Sequence, residues 1–192
     1  MKKIITKEIE TPLGLMIAGI TDDKLCLLEF SDPDRLSKTL TKLEKHYRYY
    51  LVKGDHNLFN SLEEQLNQYF NGNLTKFKIP LTMIGTDFEQ KVWIELQNIP
   101  QGKTKSYLEI AKLINNPTGF RAVARANGSN NISIIIPCHR VIASNGNLQG
   151  YGGGLWRKEL LLNLEKFGTG INKKLIEKTK NKKQYKLLEN WI

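Results

Sequence analysis

The chain is poor in cysteine, with two in 192 residues, Cys26 and Cys138. That is too few for a disulfide framework, and two lone thiols with no paired spacing read as reduced cysteine. Long hydrophobic runs are also missing. None approaches the ~20 residues needed to span a bilayer, so no membrane segment is expected. The start, Met1 to Lys7, has charges but neither a long apolar core nor a small-residue cleavage site. It reads as a first strand and not a signal peptide, and the chain as cytoplasmic. Histidine is scarce, with three in all. Cys26, His46 and His56 show no ligand-pair spacing, so no metal site is expected. The glycine-rich Gly150-Tyr151-Gly152-Gly153-Gly154 has neither the Lys-Ser/Thr ending of a phosphate loop nor the spaced dinucleotide fingerprint. No cofactor is expected. Its glycines are read as allowing the backbone close to a flat ligand.

Acidic residues are scarce in one half only. Residues 1–84 carry 12 basic and 11 acidic side chains, residues 100–167 carry 9 and 3, and residues 168–192 carry 7 and 2. The net charge of +10 therefore sits in the second half. Such asymmetry suits a polyanionic partner, nucleic acid first. It would also serve plain solubility. A hydrophobic fraction of 40% and a charged fraction of 25% are those of an ordinary globular protein.

The first thirty residues alternate apolar runs with turn signals. Lys3 to Ile9, Leu13 to Ile20 and Leu25 to Phe30 read as a three-stranded antiparallel meander. Leu36, Leu40, Leu43 and Tyr47 recur at helical spacing, as do Leu62, Leu66, Tyr69 and Phe70. Composition changes at Gly85. Thr86 to Glu89 forms a capping box before an apolar helical face of Phe88, Val92, Trp93 and Leu96. A helix capped by Thr104 or Ser106 follows, then one from about Thr118 to Asn127 with Phe120, Val123 and Ala124 inward and Arg121 and Arg125 outward. Two short helices with a tight turn match a helix-turn-helix, although spacing alone fits an ordinary helical hairpin as well. Ser144-Asn145-Gly146-Asn147 reads as a hairpin turn. The tail from Lys173 to Ile192 reads as a basic amphipathic helix or an arm. The whole is an α+β protein in three parts: 1–84, 85–168 and a basic tail, 169–192.

The chemistry gathers at Ile134-Ile135-Ile136-Pro137-Cys138-His139-Arg140-Val141. The β-branched run predicts a buried strand that Pro137 ends, with a supported thiol at its mouth. A reactive thiol needs a base or a positive charge nearby. On an extended segment His139 and Arg140 would point to opposite faces, so the partner is expected to act through a bend or a water.

This motif, with Gly85-Thr86-Asp87-Phe88, Val92-Trp93, Ile99-Pro100, Ser106-Tyr107, Ile110-Ala111, Arg121-Ala122-Val123, Asn130, Gly150 to Leu155, Arg157-Lys158 and Glu165, resembles the O6-alkylguanine-DNA alkyltransferases over about eighty residues in register. The chain departs from that pattern at Gln101, Ala124 and Asn131, where the family often has tyrosine, glycine and proline.

The resemblance implies a small ribonuclease-H-like N-terminal α/β domain and a mainly helical C-terminal domain with a helix-turn-helix. It implies alkyl transfer from O6 of guanine, and more weakly O4 of thymine, in double-stranded DNA to Cys138, by a monomer used once. It implies that His139 activates Cys138 through a water, that Glu165 orients His139, and that Asn130 ties the loops together. Arg121 would fill the gap left by a flipped base, with Tyr107 crowding the backbone phosphate. Val141, Tyr151 and Gly152 would line the base pocket, and Ser144 and Asn116 would touch DNA. Three rival readings are weighed: a cysteine-free lesion-binding relative, which Cys138 opposes; a helix-turn-helix regulator, which leaves Cys138 and Glu165 unexplained; and a thiol hydrolase, which leaves the basic surface unexplained.

Overall fold

The structure is a computed structural model and describes residues 1–181. The later part of the tail, with Tyr185, Leu187, Leu188 and Trp191, lies outside the described residues. Strands β1 (Lys2–Ile9), β2 (Met16–Thr21) and β3 (Lys24–Phe30) form the expected antiparallel meander. Asp22 and Asp23 take left-handed backbone angles between β2 and β3, which short polar side chains tolerate in a tight hairpin turn. A fourth strand, β4 (Tyr49–Lys53), pairs parallel with β1, giving the order β3-β2-β1-β4. The sequence reading missed β4 because its residues neither alternate cleanly nor bury deeply.

Both faces of this sheet are covered. Helix α1 (Pro33–Thr41) continues as one π-helical turn, Lys42–His46, and brings Leu43 against Ile4, Cys26, Leu27 and Ile84. Helix α2 (Asn57–Phe70) buries Phe59, Leu62, Leu66 and Tyr69 in the large core with Met16, Ala18, Leu28 and Phe30. A sheet buried on both sides explains why β3 is a near-continuous apolar run.

The free edge of β3 is where the two halves of the chain meet. Leu25 pairs with the linker, its N–H donating to Pro80 O (2.9 Å) and its carbonyl accepting from Thr82 N (2.9 Å). Leu28 pairs with a loop of the second half, donating to Asn131 O (2.8 Å) and accepting from Ser133 N (2.7 Å). An exposed sheet edge is thereby closed, and the loop leading to Cys138 is fastened to the first half.

The second half holds α3 (Asp87–Gln97), α4 (Tyr107–Leu113), α5 (Phe120–Gly128), α6 (Leu155–Phe167) and α7 (Lys173–Lys180), with a minimal parallel pair, β5 (Lys105–Ser106) and β6 (Val141–Ile142). Both caps read from the sequence are real: Thr86 and Glu89 make a capping box on α3, and Ser106 and Glu109 make one on α4. Trp93 of α3 donates its indole N–H to Ala126 O of α5 (2.7 Å), which locks α5 in place.

Three expectations are corrected. The isoleucine run is not a strand. After one bridge between Ile132 and Leu28 the chain turns, with Ile134 at φ 74, while Ile132, Ile134 and Ile136 all stay buried. The side chain of Asn130 competes with the ladder, accepting from Ile132 N (2.9 Å) and donating to Ile136 O (2.9 Å). Residues 144–147 do form a turn, with Ala143 N donating to Asn147 O (3.2 Å), but not a two-stranded hairpin, because no strand follows the turn before α6. Phe120 points outward, 42% exposed, because α5 buries the face carrying Val123, Ala126 and Asn127.

Candidate active site

Cys138, His139 and Arg140 form one 3-10 turn directly after Pro137. A turn, unlike an extended segment, sends His139 and Arg140 to the same carboxylate. Glu165 Oε1 lies 2.7 Å from His139 Nε2 and accepts from Arg140 Nη2 (2.9 Å), while Oε2 accepts from Arg140 Nε (2.8 Å). Oε1 also accepts from the hydroxyl of Tyr69 (2.7 Å), which comes from α2 of the first half. Arg140 is held further by Ile99 O (2.6 Å).

Burial alone would raise the pKa of Glu165, but His139 and Arg140 hold it well below the usual carboxylate range. Burial lowers the pKa of His139, with Glu165 opposing. Arg140 already compensates the carboxylate, so the imidazole is neutral at pH 7. Its Nε2–H then donates to Glu165, and Nδ1 is left as an acceptor. Nδ1 is buried and has no partner among the described residues.

Cys138 is 3% exposed. Burial raises its pKa, and the Asn130 amide, Arg35 and Lys158 oppose that rise. Asn130 Nδ2 lies 3.2 Å from the sulfur, so one amide both shapes the loop and faces the nucleophile. Arg35 of α1 crosses from the first half. It donates to Gly128 O (2.9 Å), Asn130 O (3.0 Å) and buried Glu29 (2.7 Å). Glu29 in turn accepts from Ser133 (3.2 Å), so a charged network runs under the loop. Lys158 of α6 is fully buried and donates to Val141 O and Gln149 O (2.6 Å each), with its pKa lowered by burial to about 8.

These bonds shape the wall above the sulfur. Tyr151 is buried, meets the His139 ring edge-on at 6.5 Å, and has a hydroxyl with no partner among the described residues. Gly152 lies against the Arg35 guanidinium, leaving no room for a Cβ. Tyr107, at the start of α4, is half-buried and donates to Gln149 O (3.3 Å), with its pKa pushed up by burial to about 12. A cleft of about 530 Å³ opens beside Pro137 and Arg140 and does not reach Cys138, so it is not the thiol's pocket.

The structure thus brings Cys138, His139, Asn130, Glu165, Val141, Tyr151, Gly152 and Tyr107 together. Arg121 is exposed on α5, Ser144 is exposed in its turn, and Asn116 is tucked beneath Gly119 in the α4–α5 turn. Asn131, which departs from the family pattern, donates to Ile84 O (2.8 Å) and braces the loop. Sequence reasoning missed four contributors. Arg140 was in plain view but was sent to the wrong face by the strand expectation. Tyr69 and Arg35 carry no local signal, and Lys158 stood only as part of the family pattern with no role, because their roles arise only when distant elements meet. Among the described residues no cluster of His, Cys, Asp and Glu could hold a metal, and no helix is long and apolar enough to cross a membrane.

Fold and site together define a protein of the cysteine-nucleophile class, with a buried thiol on the same 3-10 turn as a buried imidazole–carboxylate pair, beside two short helices. Comparison with known proteins narrows this. Residues 87–167 match the family described as 6-O-methylguanine DNA methyltransferase, DNA binding domain, and residues 4–83 match its ribonuclease-like domain. A methylated-DNA–protein-cysteine methyltransferase of Mycolicibacterium paratuberculosis is 44% identical over 160 residues, 83% of this chain and 91% of that one. One from Methanosarcina mazei is 51% identical over 107 residues, 56% of this chain and 68% of that one. The crystal structure of Mycobacterium tuberculosis OGT in complex with DNA superposes with a TM-score of 0.74 at 40% identity, covering 90% of this chain and 98% of that one. The chain belongs to the 6-O-methylguanine DNA methyltransferase family.

Proposed function

We propose that the chain repairs DNA by direct reversal, moving the alkyl group of O6-methylguanine, and more weakly O4-methylthymine, from duplex DNA to Cys138. The observation that carries this reading is the buried His139–Glu165 pair directly after buried Cys138 on one 3-10 turn, with His139 Nδ1 left open. In the reaction the sulfur attacks the methyl carbon in line with the C–O6 bond. The S–C bond forms as the C–O6 bond breaks. The thiol's proton passes through a water to His139 Nδ1 and ends on the guanine, which regains its ring N–H. Glu165 fixes the tautomer that makes Nδ1 the acceptor and steadies the imidazolium once formed. Asn130 points a donor at the sulfur, favouring the thiolate. The product is a thioether, which has no leaving group to hydrolyse, so each molecule acts once. No cofactor is called for.

The target atom is inside the duplex, so the base must be flipped out at a cost of a few kcal/mol. Arg121 on exposed α5 fills the gap by stacking and hydrogen bonding. Tyr107 crowds the backbone at the pocket rim. Val141, Gly152 and the open Tyr151 hydroxyl receive the base. Asn116 and Ser144 contact the strand on either side. Basic charge on the second half supplies a sequence-independent search. The division at residues 84 and 85, a monomeric state and a cytoplasmic location belong to the same proposal.

The test is incubation with duplex DNA carrying methyl-labelled O6-methylguanine. One label per molecule should appear on Cys138 and none on Cys138→Ala. Multiple turnovers, or label left on the DNA, would overturn suicide transfer.

A further inference from the structure

The aromatic at the head of α5 is not used by the chemistry described so far. Phe120 is the first residue of that helix and is 42% exposed, whereas Phe30, Phe59 and Phe70 are buried. Its ring centroid lies 5.4 Å from the Arg121 guanidinium carbon. Helical spacing puts Phe120, Arg121, Ala124 and Arg125 on the outward arc, opposite buried Val123, Ala126 and Asn127. That arc has one flat apolar group, two cations and a small residue between them. No acidic side chain stands in its first turn.

The helix end is also presented barely. Its N-cap is Gly119, with no side chain in the cap, and Asn116 folds so closely beneath it that a Cβ there would collide. Nothing bulky therefore precedes Phe120 on the approach to a ligand. A solvent-exposed phenyl ring beside a guanidinium costs water contact and gains little within the fold. Both groups are flat, and both suit the face of a base.

We propose that Phe120 is a second wedge. It enters the minor groove beside Arg121 and stacks on the base pair next to the gap that Arg121 fills. Apolar wedges of this kind part base steps and kink the duplex toward the major groove. Flipping one nucleotide unstacks two neighbours, and a ring that restacks one of them lowers the cost of the flipped state. The partner chosen is a base step of double-stranded DNA, favoured over a protein by the cations that flank the ring. The inference rests on the reading of α5 as the helix that meets DNA.

The experiment compares wild type, Phe120→Ala, Phe120→Trp and Arg121→Ala in two reactions: methyl transfer from duplex O6-methylguanine, and reaction with free O6-benzylguanine. One base–aromatic stack corresponds to a change of about 5- to 150-fold. Phe120→Ala should slow duplex repair about tenfold, leave the free-base reaction unchanged, and leave the slope of log affinity against log salt unchanged, since a phenyl ring releases no counterion. Phe120→Trp should restore the rate. Wild-type duplex repair by Phe120→Ala, while Arg121→Ala is impaired, would overturn the wedge and leave the DNA reading of α5 intact. Equal losses in both reactions would assign Phe120 a structural role and overturn the wedge. Unimpaired duplex repair by Arg121→Ala would remove the DNA reading of α5 itself.

Discussion

Replacing Tyr69 by phenylalanine deletes one oxygen and no packing volume, which makes it a clean probe of the carboxylate at the centre of the site. Tyr69 is 2% exposed and Glu165 7%, and their hydrogen bond is 2.7 Å long. A hydrogen bond to a buried charge contributes about 1.5–3 kcal/mol, and the variant also escapes burying a hydroxyl. The expected loss is about 2 kcal/mol at pH 7. For a chain of this size that lowers the melting temperature by roughly 4–8 °C. The loss should depend on pH in a set direction. Glu165 has a folded pKa held below its unfolded value, so its stabilising contribution is complete above the ordinary carboxylate pKa of about 4.3 and fades as pH falls below it. Tyr69 supplies part of that depression. The gap between wild type and variant should therefore be full at pH 7 and shrink from about pH 4.3 downward. Removing the donor also leaves Glu165 pulling harder on His139, which raises the imidazole pKa. The acid limb of the rate with O6-benzylguanine should move to higher pH. Thermal melts across pH, paired with that rate profile, test both. A variant as stable as wild type at pH 7, or a gap that stays constant into acid, would refute the reasoning.

Two further substitutions probe the network beneath the loop. Arg35→Met strands Glu29, whose side chain is fully buried, and should cost about 3–5 kcal/mol in chemical denaturation. It should also slow alkyl transfer, because one of the positive charges opposing the thiol's raised pKa is lost. Lys158→Met takes the ammonium donor from Val141 O, at about 1–3 kcal/mol, and from Gln149 O, which keeps the Tyr107 hydroxyl. Because the folded pKa of Lys158 lies near 8 and the unfolded one near 10.4, wild type should gain stability as pH rises through that window, and Lys158→Met should not.

The capping box at Thr86, a cap at Ser106 as one of two candidates, and the meander were legible because each depends on residues within a few positions. Cys138 and His139 were legible in the motif itself, but Glu165 only through a resemblance, since it lies twenty-seven positions from Cys138. The isoleucine run misled for a physical reason. β-Branched side chains report burial as strongly as they report strands, and here Asn130 takes the backbone groups a strand would have used. Arg35 and Tyr69 lay beyond sequence reasoning, because Arg35 reaches Gly128 and Asn130, and Tyr69 reaches Glu165, only when the first half of the chain closes over the second.

The other thiol gives the molecule an internal standard. Cys26 is fully buried, and burial pushes its pKa up to about 12, so it stays protonated while the protein is folded. Cys138 is buried too and its pKa is also raised, so the native fold shields both thiols. Unfolding exposes both: an unspent chain then gives two thiols and a spent one gives Cys26 alone, so the count per chain falls from two to one as Cys138 is alkylated.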